Sequence, residues 1–264
     1  MTPVPLFDTH AHLHDAAFAA DRAAVLGRAR AAGVVRLLTV GTDPESAGEA
    51  VALAAAEPDV YAAVGIHPHD AAKADDAALE RIAALARAPR VVAVGEIGLD
   101  YYRNLSPRDA QQRVLRWHLA LAREVGKPVL LHCREAHADL LAALEAEGAG
   151  EIGGIMHCFS GDLDVARRCL DLGLLVSIAG PVTYPNARRL GEVVRTLGLE
   201  PLLIETDCPY LPPQPWRGQR NEPAYLPATA ARVAELCGVP VEVVAGRTTR
   251  TACARLGVPL PDGA

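Results

Sequence analysis

The chain has 264 residues, half of them hydrophobic and 22% charged, so it can bury a substantial core. Its formal net charge of −6 argues against general binding to duplex nucleic acid, because neutralising many phosphates normally takes a basic surface. A small, locally basic site that acts on a strand end is not excluded. No apolar run approaches the ~20 residues that span a bilayer, and no two of the six cysteines form a Cys-x-x-Cys pair. We therefore expect a cytoplasmic protein with reduced cysteines.

Apolar runs alternate along the chain with Ala-rich stretches of helical spacing. We predict eight strands, over residues 4–7, 34–40, 60–66, 91–94, 128–131, 154–156, 174–178 and 202–204. A helix is predicted after each strand, over residues 21–32, 44–56, 77–88, 107–125, 136–147, 163–172, 187–197 and 225–237, and a last helix over 241–256. Asp43 is placed to cap the helix that begins at Pro44.

Most of the predicted strands are continuous apolar runs, which indicates strands that are buried on both faces. Eight strand–helix units in 264 residues are typical of a (β/α)8 TIM barrel. A doubly wound open sheet is the structural alternative, because the strand count alone does not exclude it. No stretch has the composition of a linker, so we predict an α/β fold with a single domain over residues 1–264.

Histidines and carboxylates gather at the predicted strand ends, where a TIM barrel places its chemistry. His10 and His12 follow the first strand, and residues two apart in an extended chain point to the same side. By itself this pair could be chance. The other strand-end residues are His67, His69, Glu96, His132, His157, Glu205 and Asp207. Four of these histidines and two of the carboxylates converge on one rim and indicate a metal site, because buried charges are costly unless they are paired or bind metal. They are His10, His12, His132, His157, Glu96 and Asp207.

Donors that mix imidazole nitrogen with carboxylate oxygen suit Zn, Mn, Fe, Co or Ni, and we keep Mg among the candidates. Six ligand candidates exceed the three or four of a single zinc site, so we predict two divalent ions, with Glu96 able to bridge them. Such a pair would lower the pKa of a bound water and stabilise the attacking and leaving oxygens of a phosphoester. Asp207 could bind metal and also take a proton from that water. We therefore assign catalytic roles to Asp207 and Glu96.

Six motifs carry a family resemblance. They are Asp8-Thr9-His10-Ala11-His12, Gly65-Ile66-His67-Pro68-His69, Gly95-Glu96-Ile97-Gly98-Leu99-Asp100-Tyr101-Tyr102, His132-Cys133-Arg134-Glu135-Ala136, His157-Cys158-Phe159-Ser160-Gly161 and Glu205-Thr206-Asp207-Cys208-Pro209-Tyr210-Leu211. In this order they resemble the TatD family of metal-dependent deoxyribonucleases, a branch of the amidohydrolase-like TIM barrels, over nearly the whole chain. The resemblance implies that the metal ligands are His10, His12, Glu96, His132, His157 and Asp207.

The resemblance also implies a DNA substrate, which composition and spacing do not show. We expect a metal-dependent hydrolase that cleaves DNA phosphodiester bonds from the 3′ end with a metal-activated water, acting on single strands or frayed ends. Nothing in the sequence calls for a membrane or for an obligate protein partner.

Several residues outside the ligand set are candidates for binding substrate. Arg217 and Arg220 lie in a segment, 215–223, that resembles the family's Arg-Gly-x-x-Asn-Glu-Pro loop, and guanidinium groups bind phosphate in bidentate fashion. The alternative is two solvated loop arginines. Arg134 is better placed, because it follows a predicted metal ligand by two residues. The full set of predicted substrate-side residues is His67, His69, Arg134, Glu205, Arg217 and Arg220, of which Glu205 could instead orient a ligand.

Two departures from the family pattern and two rival functions stay open. His14 stands where many relatives carry Asp, and Thr251 stands near a Thr pair that Asn commonly follows. The nearest rival is an amidohydrolase-type C–N or C–O hydrolase, such as a lactonase or cyclic amidase on a small molecule. That type commonly has a carbamylated lysine at the end of strand four, where this chain offers Glu96. A metal-binding scaffold without turnover is the other rival, and the intact ligand set argues against it.

Overall fold

Eight parallel strands pair in chain order in the computed structural model, which describes residues 5–260. They are β1 (Leu6–Ala11), β2 (Val34–Val40), β3 (Val60–Val64), β4 (Val91–Asp100), β5 (Val129–Arg134), β6 (Gly154–Met156), β7 (Leu174–Ile178) and β8 (Leu202–Ile204). A bridge from Ala11 to Cys208 brings the end of β8 back to β1. The sheet is therefore a nearly closed barrel, and the predicted TIM-barrel fold is confirmed. Val4 of the predicted first strand lies outside the described residues, as do residues 1–3 and 261–264 of the predicted domain.

Helices lie between consecutive strands and after the last one. They are α1 (Arg22–Ala31), α2 (Pro44–Ala56), α3 (Asp76–Leu85), α4 (Arg108–Val125), α5 (His137–Ala146), α6 (Leu163–Asp171), α7 (Arg188–Leu197), α8 (Leu226–Cys237) and α9 (Val241–Leu256). Every predicted helix is present, and α2 has the predicted cap, because Asp43 Oδ1 accepts hydrogen bonds from the amides of Glu45 and Ser46. Within residues 5–260, each helix is too short or too polar to cross a bilayer.

Three strands are longer than the sequence indicates. The predictions ended β1 at residue 7, β4 at residue 94 and β5 at residue 131, whereas these strands continue to Ala11, Asp100 and Arg134. Most of the polar residues that follow the apolar runs remain in the ladder with their side chains inside the barrel mouth. His10, Glu96 and Asp100 are buried there, whereas Arg134 at the end of β5 is exposed. Glu96 therefore lies within β4, which corrects its predicted place at the strand end.

A cluster of apolar side chains fills the barrel beneath its polar mouth. Phe7, Leu38, Leu130 and Leu203 are buried in it, together with Leu256 of α9. Helix α9 packs against β1 and β8, so it covers the end of the barrel opposite to the polar residues. One end of the barrel interior is consequently apolar, and the histidines and carboxylates lie at the other end.

His118, which we expected to be structural, is a fully buried histidine of α4. Its Nδ1 donates to the carbonyl of Val114 at 2.7 Å, and its Nε2 accepts from the amide of Ile66 at 3.2 Å. Both ring nitrogens are therefore satisfied in the neutral form. Burial lowers the pKa of His118 to about 4.

This histidine predicts a loss of stability in acid. In the unfolded chain, His118 takes up a proton near its ordinary pKa of 6.5. In the folded chain, it stays neutral until the pH falls to about 4. The stability that neutral His118 contributes is thus complete above pH 6.5 and is lost as the pH falls through that window, by about 3 kcal/mol at most. Urea unfolding with EDTA should show a flatter pH dependence in His118→Gln than in the parent chain. An unchanged slope would contradict the assignment.

Candidate metal centre

Glu96 lies at the centre of the polar cluster and is 3% exposed. Its Oε2 is 3.4 Å from His10 Nε2 and 3.8 Å from His12 Nε2. Its Oε1 is 2.9 Å from His157 Nε2 and 3.0 Å from His132 Nδ1. The carboxylate therefore divides four histidines into two pairs, one for each oxygen.

A bulge in β4 gives Glu96 this position. Residue Val94 pairs with Val129 of β5, but Ile97 pairs with Leu131, so β4 contains one extra residue between the two pairs. A bulge turns a side chain out of the regular alternation of a strand. Here it points the Glu96 carboxylate toward the histidines of both neighbouring groups.

Asp207 joins the pair formed by His10 and His12. Its Oδ1 is 3.8 Å from His10 Nε2 and 3.5 Å from His12 Nε2. Its amide donates to the carbonyl of His10 at 2.9 Å, and its backbone is left-handed with φ of +57°. This strained conformation lies just beyond β8, where it presents the carboxylate to β1. All six sequence-predicted metal ligands are thus together in the structure.

The hydrogen bond of His12 shows which of its nitrogens is free. Its Nδ1 is 2.9 Å from the carbonyl of Val40. A carbonyl only accepts, so Nδ1 carries the proton and the lone pair is on Nε2. That Nε2 is 3.3 Å from His10 Nε2 and faces the two carboxylates. The lone pair of His12 therefore points into the middle of the cluster.

The same argument holds for His157 and His132. His157 Nδ1 is 3.2 Å from Glu205 Oε1, and His132 Nε2 is 3.2 Å from Asp100 Oδ2. Each carboxylate holds a proton on the nitrogen that it faces, so the opposite nitrogen presents its lone pair to Glu96. His157 Nε2 has no hydrogen-bond partner within residues 5–260, although it lies 2.9 Å from Glu96 Oε1.

These lone pairs repel the carboxylate oxygens unless a cation lies between them. Burial by itself would raise the pKa of Glu96, but positive charge on the neighbouring histidines, His157 first, holds it well below its usual value. A divalent cation would supply that positive charge while leaving the imidazoles neutral. A buried carboxylate surrounded by imidazole lone pairs is the donor set of a divalent ion such as zinc. The group His10–His12–Glu96 places its donor atoms within 4.8 Å of one another. The residues therefore fit a metal ion.

His67 differs from the four histidines above. Its Nδ1 accepts from the amide of His69 at 3.2 Å, and burial lowers its pKa to about 4. The neutral ring therefore carries its proton on Nε2, which is 3.4 Å from Glu96 Oε1. An N–H directed at the centre suits a hydrogen-bond donor better than a metal ligand. His69 lies farther out and contacts Asp100 through Nε2 at 2.9 Å.

Asp100 was missed as a functional residue by the sequence analysis. Its Oδ2 contacts His132 and His69, and its Oδ1 accepts from the amide of Arg103 at 2.8 Å. Burial alone would raise the pKa of Asp100, but these hydrogen bonds from His132, Arg103 and His69 lower it. Only the observation that β4 continues past Glu96 could have signalled a second carboxylate on the same strand.

Asp8 is a second residue whose role the sequence analysis did not identify. It is fully buried, and its oxygens accept from the amide of Thr206 at 2.9 Å and from the Thr206 hydroxyl at 2.6 Å. Burial raises the pKa of Asp8 to about 7. The two bonds join β1 to the segment that carries Glu205 and Asp207, so Asp8 holds ligands from both sides of the barrel seam in register. The alternation of Asp8 with His10 and His12 was the available signal.

The cluster forms the floor of an open cavity of about 950 Å³. Arg103, Arg134 and Arg189 line the side that follows β4, β5 and β7, whereas Asp15 and Asp70 line the other side. The protein is acidic overall, yet this part of the rim is basic. A basic rim above a metal centre suits an anionic substrate such as a phosphodiester.

The remaining predicted substrate-side residues have different surroundings. Arg134 lines the cavity. Arg220 instead pairs with Asp21 at 2.8 Å, and Arg217 lies over the ring of Tyr184, 4.5 Å from its centroid. Glu205 is fully buried and contacts His157 Nδ1 at 3.2 Å, which is the position expected of a group that orients this predicted ligand. The structure thus brings Arg134 to the cavity, and it leaves Arg217 and Arg220 outside the lining.

A family profile described as TatD-related DNase matches residues 7–257 of the chain. The chain is 44% identical over 247 residues to an uncharacterised metal-dependent hydrolase, YabD, of Bacillus subtilis (strain 168), covering 94% of this chain and 97% of that protein. It is 40% identical over 250 residues to the 3′-5′ ssDNA/RNA exonuclease TatD of Klebsiella pneumoniae (strain 342), covering 92% and 94%.

The fold comparison agrees with the sequence comparison. The crystal structure of YJJV, a TatD homolog from Escherichia coli K12, superposes with a TM-score of 0.91 at 35% identity, covering 96% of this chain and 98% of that one. Profile, sequence and fold all match over nearly the whole length. The chain therefore belongs to the TatD-related DNase family.

Proposed function

We propose that this metal-dependent phosphodiester hydrolase removes nucleotides from the 3′ end of single-stranded DNA. The observation that carries the proposal is the Glu96 carboxylate between two pairs of imidazoles, of which His12, His132 and His157 direct a lone pair into the cluster. Relatives that bear the name 3′-5′ ssDNA/RNA exonuclease support the polarity and the single-stranded substrate. The open cavity with a basic rim supports an anionic chain as the substrate.

The proposal includes two divalent ions that share Glu96. One would be held by His10, His12, Asp207 and Oε2 of Glu96, and the other by His132, His157 and Oε1 of Glu96. When bound, such ions polarise a phosphoester and lower the pKa of a coordinated water. The sharing of one carboxylate by two histidine pairs favours two ions over one, and the identity of the native metal is a matter for metal analysis.

The protein's own groups then have distinct tasks. Asp207 is held as a carboxylate, because positive charge in the cluster, on His12, His10 and His157 or on a bound cation in their place, lowers its pKa although burial alone would raise it. It can therefore accept a proton from the attacking water. His67 would donate a hydrogen bond from Nε2 to Glu96 or to a phosphate oxygen. Arg134 would bind the phosphate of an adjacent nucleotide through its guanidinium.

An amidohydrolase-type reaction on a small molecule fits the site less well. The position that a bridging carbamylated lysine would take is occupied by Glu96. The chain has two lysines, of which Lys73 pairs with Asp70 at the surface and Lys127 precedes β5 at the far end of the barrel. Neither reaches the cluster.

The compartment and domain organisation belong to the same proposal. The six cysteines are all free, in keeping with a reducing cytoplasmic environment. One barrel accounts for residues 5–260, which supports a single catalytic domain that needs no protein partner for its chemistry.

The test is digestion of 5′-labelled single-stranded DNA by the purified chain, with metal content measured on the same sample. We expect a ladder that shortens from the 3′ end with Mg²⁺ or Mn²⁺, loss of cleavage with EDTA, and slower cleavage of a blunt duplex. A matched RNA strand tests whether ribose is accepted. Internal cuts, shortening from the 5′ end, or hydrolysis of lactones with intact DNA would each contradict the proposal.

A further inference from the structure

Two exposed tyrosines stand on opposite sides of the cavity mouth. Tyr102 follows β4 and is 57% exposed, and Tyr210 follows β8 and is 54% exposed. These strands are four places apart in an eight-stranded barrel. Tyr210 lines the cavity, and Tyr102 lies against Arg134, which also lines it. Aromatic residues make up only 4% of the chain, and large rings normally bury their apolar surface. Two exposed tyrosine rings beside the same cavity therefore require an explanation.

Tyr210 is rigid, yet its ring is uncovered. Its amide donates to the carbonyl of Asp207 at 2.9 Å, and its carbonyl accepts from Asn221 Nδ2 at 2.6 Å. The next residue, Leu211, has a left-handed backbone with φ of +51°, a strain that tends to persist at functional sites. The ring lines the cavity, with its centroid 5.8 Å from that of His12. A flat apolar surface is thus held beside the reacting centre.

Tyr102 has a cation beneath one face. The guanidinium of Arg134 lies 3.8 Å from the ring centroid. Arg134 is exposed and lines the cavity. A guanidinium that stacks on a ring keeps its N–H edge free for a phosphate. This side of the mouth therefore offers a stacking surface together with a phosphate-binding group.

We propose that Tyr102 and Tyr210 stack the two nucleobases on either side of the scissile phosphodiester, while Arg134 binds the phosphate on the Tyr102 side. The inference rests on the proposed nuclease function and adds the means by which the strand is held. Stacking on aromatic rings tolerates any base, because every base has a π face. Bases drawn to opposite sides of the mouth cannot stay paired with a complementary strand, so the two rings select single-stranded ends.

The test replaces one base at a time by a tetrahydrofuran abasic residue. Oligonucleotides carry it at the 3′-terminal or at the penultimate position, and kcat and KM are measured for the parent chain, Tyr102→Ala and Tyr210→Ala. In the parent, each abasic residue should raise KM by roughly tenfold, the effect of one lost stack. Each alanine variant should raise KM for the normal strand similarly and lose the discrimination at one position, a different position for each tyrosine.

Controls separate stacking from damage to the metal centre. Tyr102→Phe and Tyr210→Phe keep the ring and should restore the abasic discrimination that the alanine variants lose. Val243→Ala, which removes an exposed apolar side chain of α9, is the control that should change nothing. Metal content should be unaltered in every variant. Equal loss on normal and abasic strands, loss in one tyrosine variant alone, or loss of both discriminations at once would overturn the inference.

Failure of the nuclease function would be seen separately. If the parent chain cleaved no strand, the proposed function would fall, and stacking would be tested by binding alone. The quenching of 2-aminopurine at each of the two positions, measured on the metal-loaded chain, should then be lost in the corresponding alanine variant. Quenching that is unchanged in both variants would refute base stacking on Tyr102 and Tyr210.

Discussion

Glu96→Ala is expected to lower kcat/KM for single-stranded DNA on the order of 10³-fold or more and to reduce the metal content of the purified protein. The carboxylate is the one group that both histidine pairs face, at distances of 2.9 to 3.8 Å. Its removal leaves imidazole lone pairs without the negative charge that would complete either site. Loss of a shared ligand should exceed the 10- to 100-fold effect, approximately, of removing a group that only orients a ligand.

Asp100→Asn is expected to cause a smaller loss of activity than Glu96→Ala and serves as its comparison. This change preserves shape but weakens the bonds that orient His132 and His69, so we expect about a 10- to 100-fold loss. Metal stoichiometry, kinetics and thermal unfolding should be measured on both variants. Full metal content in Glu96→Ala, or a larger defect in Asp100→Asn than in Glu96→Ala, would show that Glu96 is not the shared ligand.

Gly98→Ala is expected to lower the free energy of unfolding by about 3–5 kcal/mol. Gly98 has φ of +143°, and a Cβ at this position would lie 1.9 Å from the carbonyl oxygen of His132. The added methyl would therefore combine backbone strain with overpacking between β4 and β5. Because Gly98 pairs with His132, any relief of the clash also moves this proposed metal ligand, and cleavage should fall with stability.

Gly27→Ala is the matched control for this change. Gly27 lies within α1, and a Cβ there meets no atom within 4 Å. Alanine should be neutral or stabilise the protein by up to about 1 kcal/mol, since glycine is the weaker helix former. Urea unfolding of the two variants gives the comparison. Equal stability of Gly98→Ala and Gly27→Ala would mean that β4 and β5 can separate without cost.

The loop that contains Arg217 and Arg220 illustrates a limit of motif interpretation. Arg220 pairs with Asp21, and the neighbouring Asn221 donates to the carbonyls of Thr206 and Tyr210. Glu222 of the same loop accepts from Arg28 of α1. The motif therefore ties the segment after β8 to α1. The partners of Arg220 and Glu222 in and before α1 lie 199 and 194 residues away in the chain, so no local pattern could have indicated them.

The order of strands and helices, and the six residues gathered on the rim, were determined by the sequence alone. Hydrophobic periodicity is a local property, and in a parallel barrel the ends of all strands meet at one face. The tertiary structure decided what happens between strands. It extended β4 past Glu96, inserted the bulge that aims this carboxylate, and supplied Asp100 and Asp8 as partners.

His10 and His12 show most clearly which features depend on the sequence and which on the tertiary structure. Their spacing placed both rings on one side of a strand, but spacing does not tell which nitrogen of a ring is free. That depends on the Val40 carbonyl, which belongs to the neighbouring strand β2. Tautomers, carboxylate orientation and the two open tyrosines arise from contacts between residues distant in sequence, which exist only once the barrel has closed.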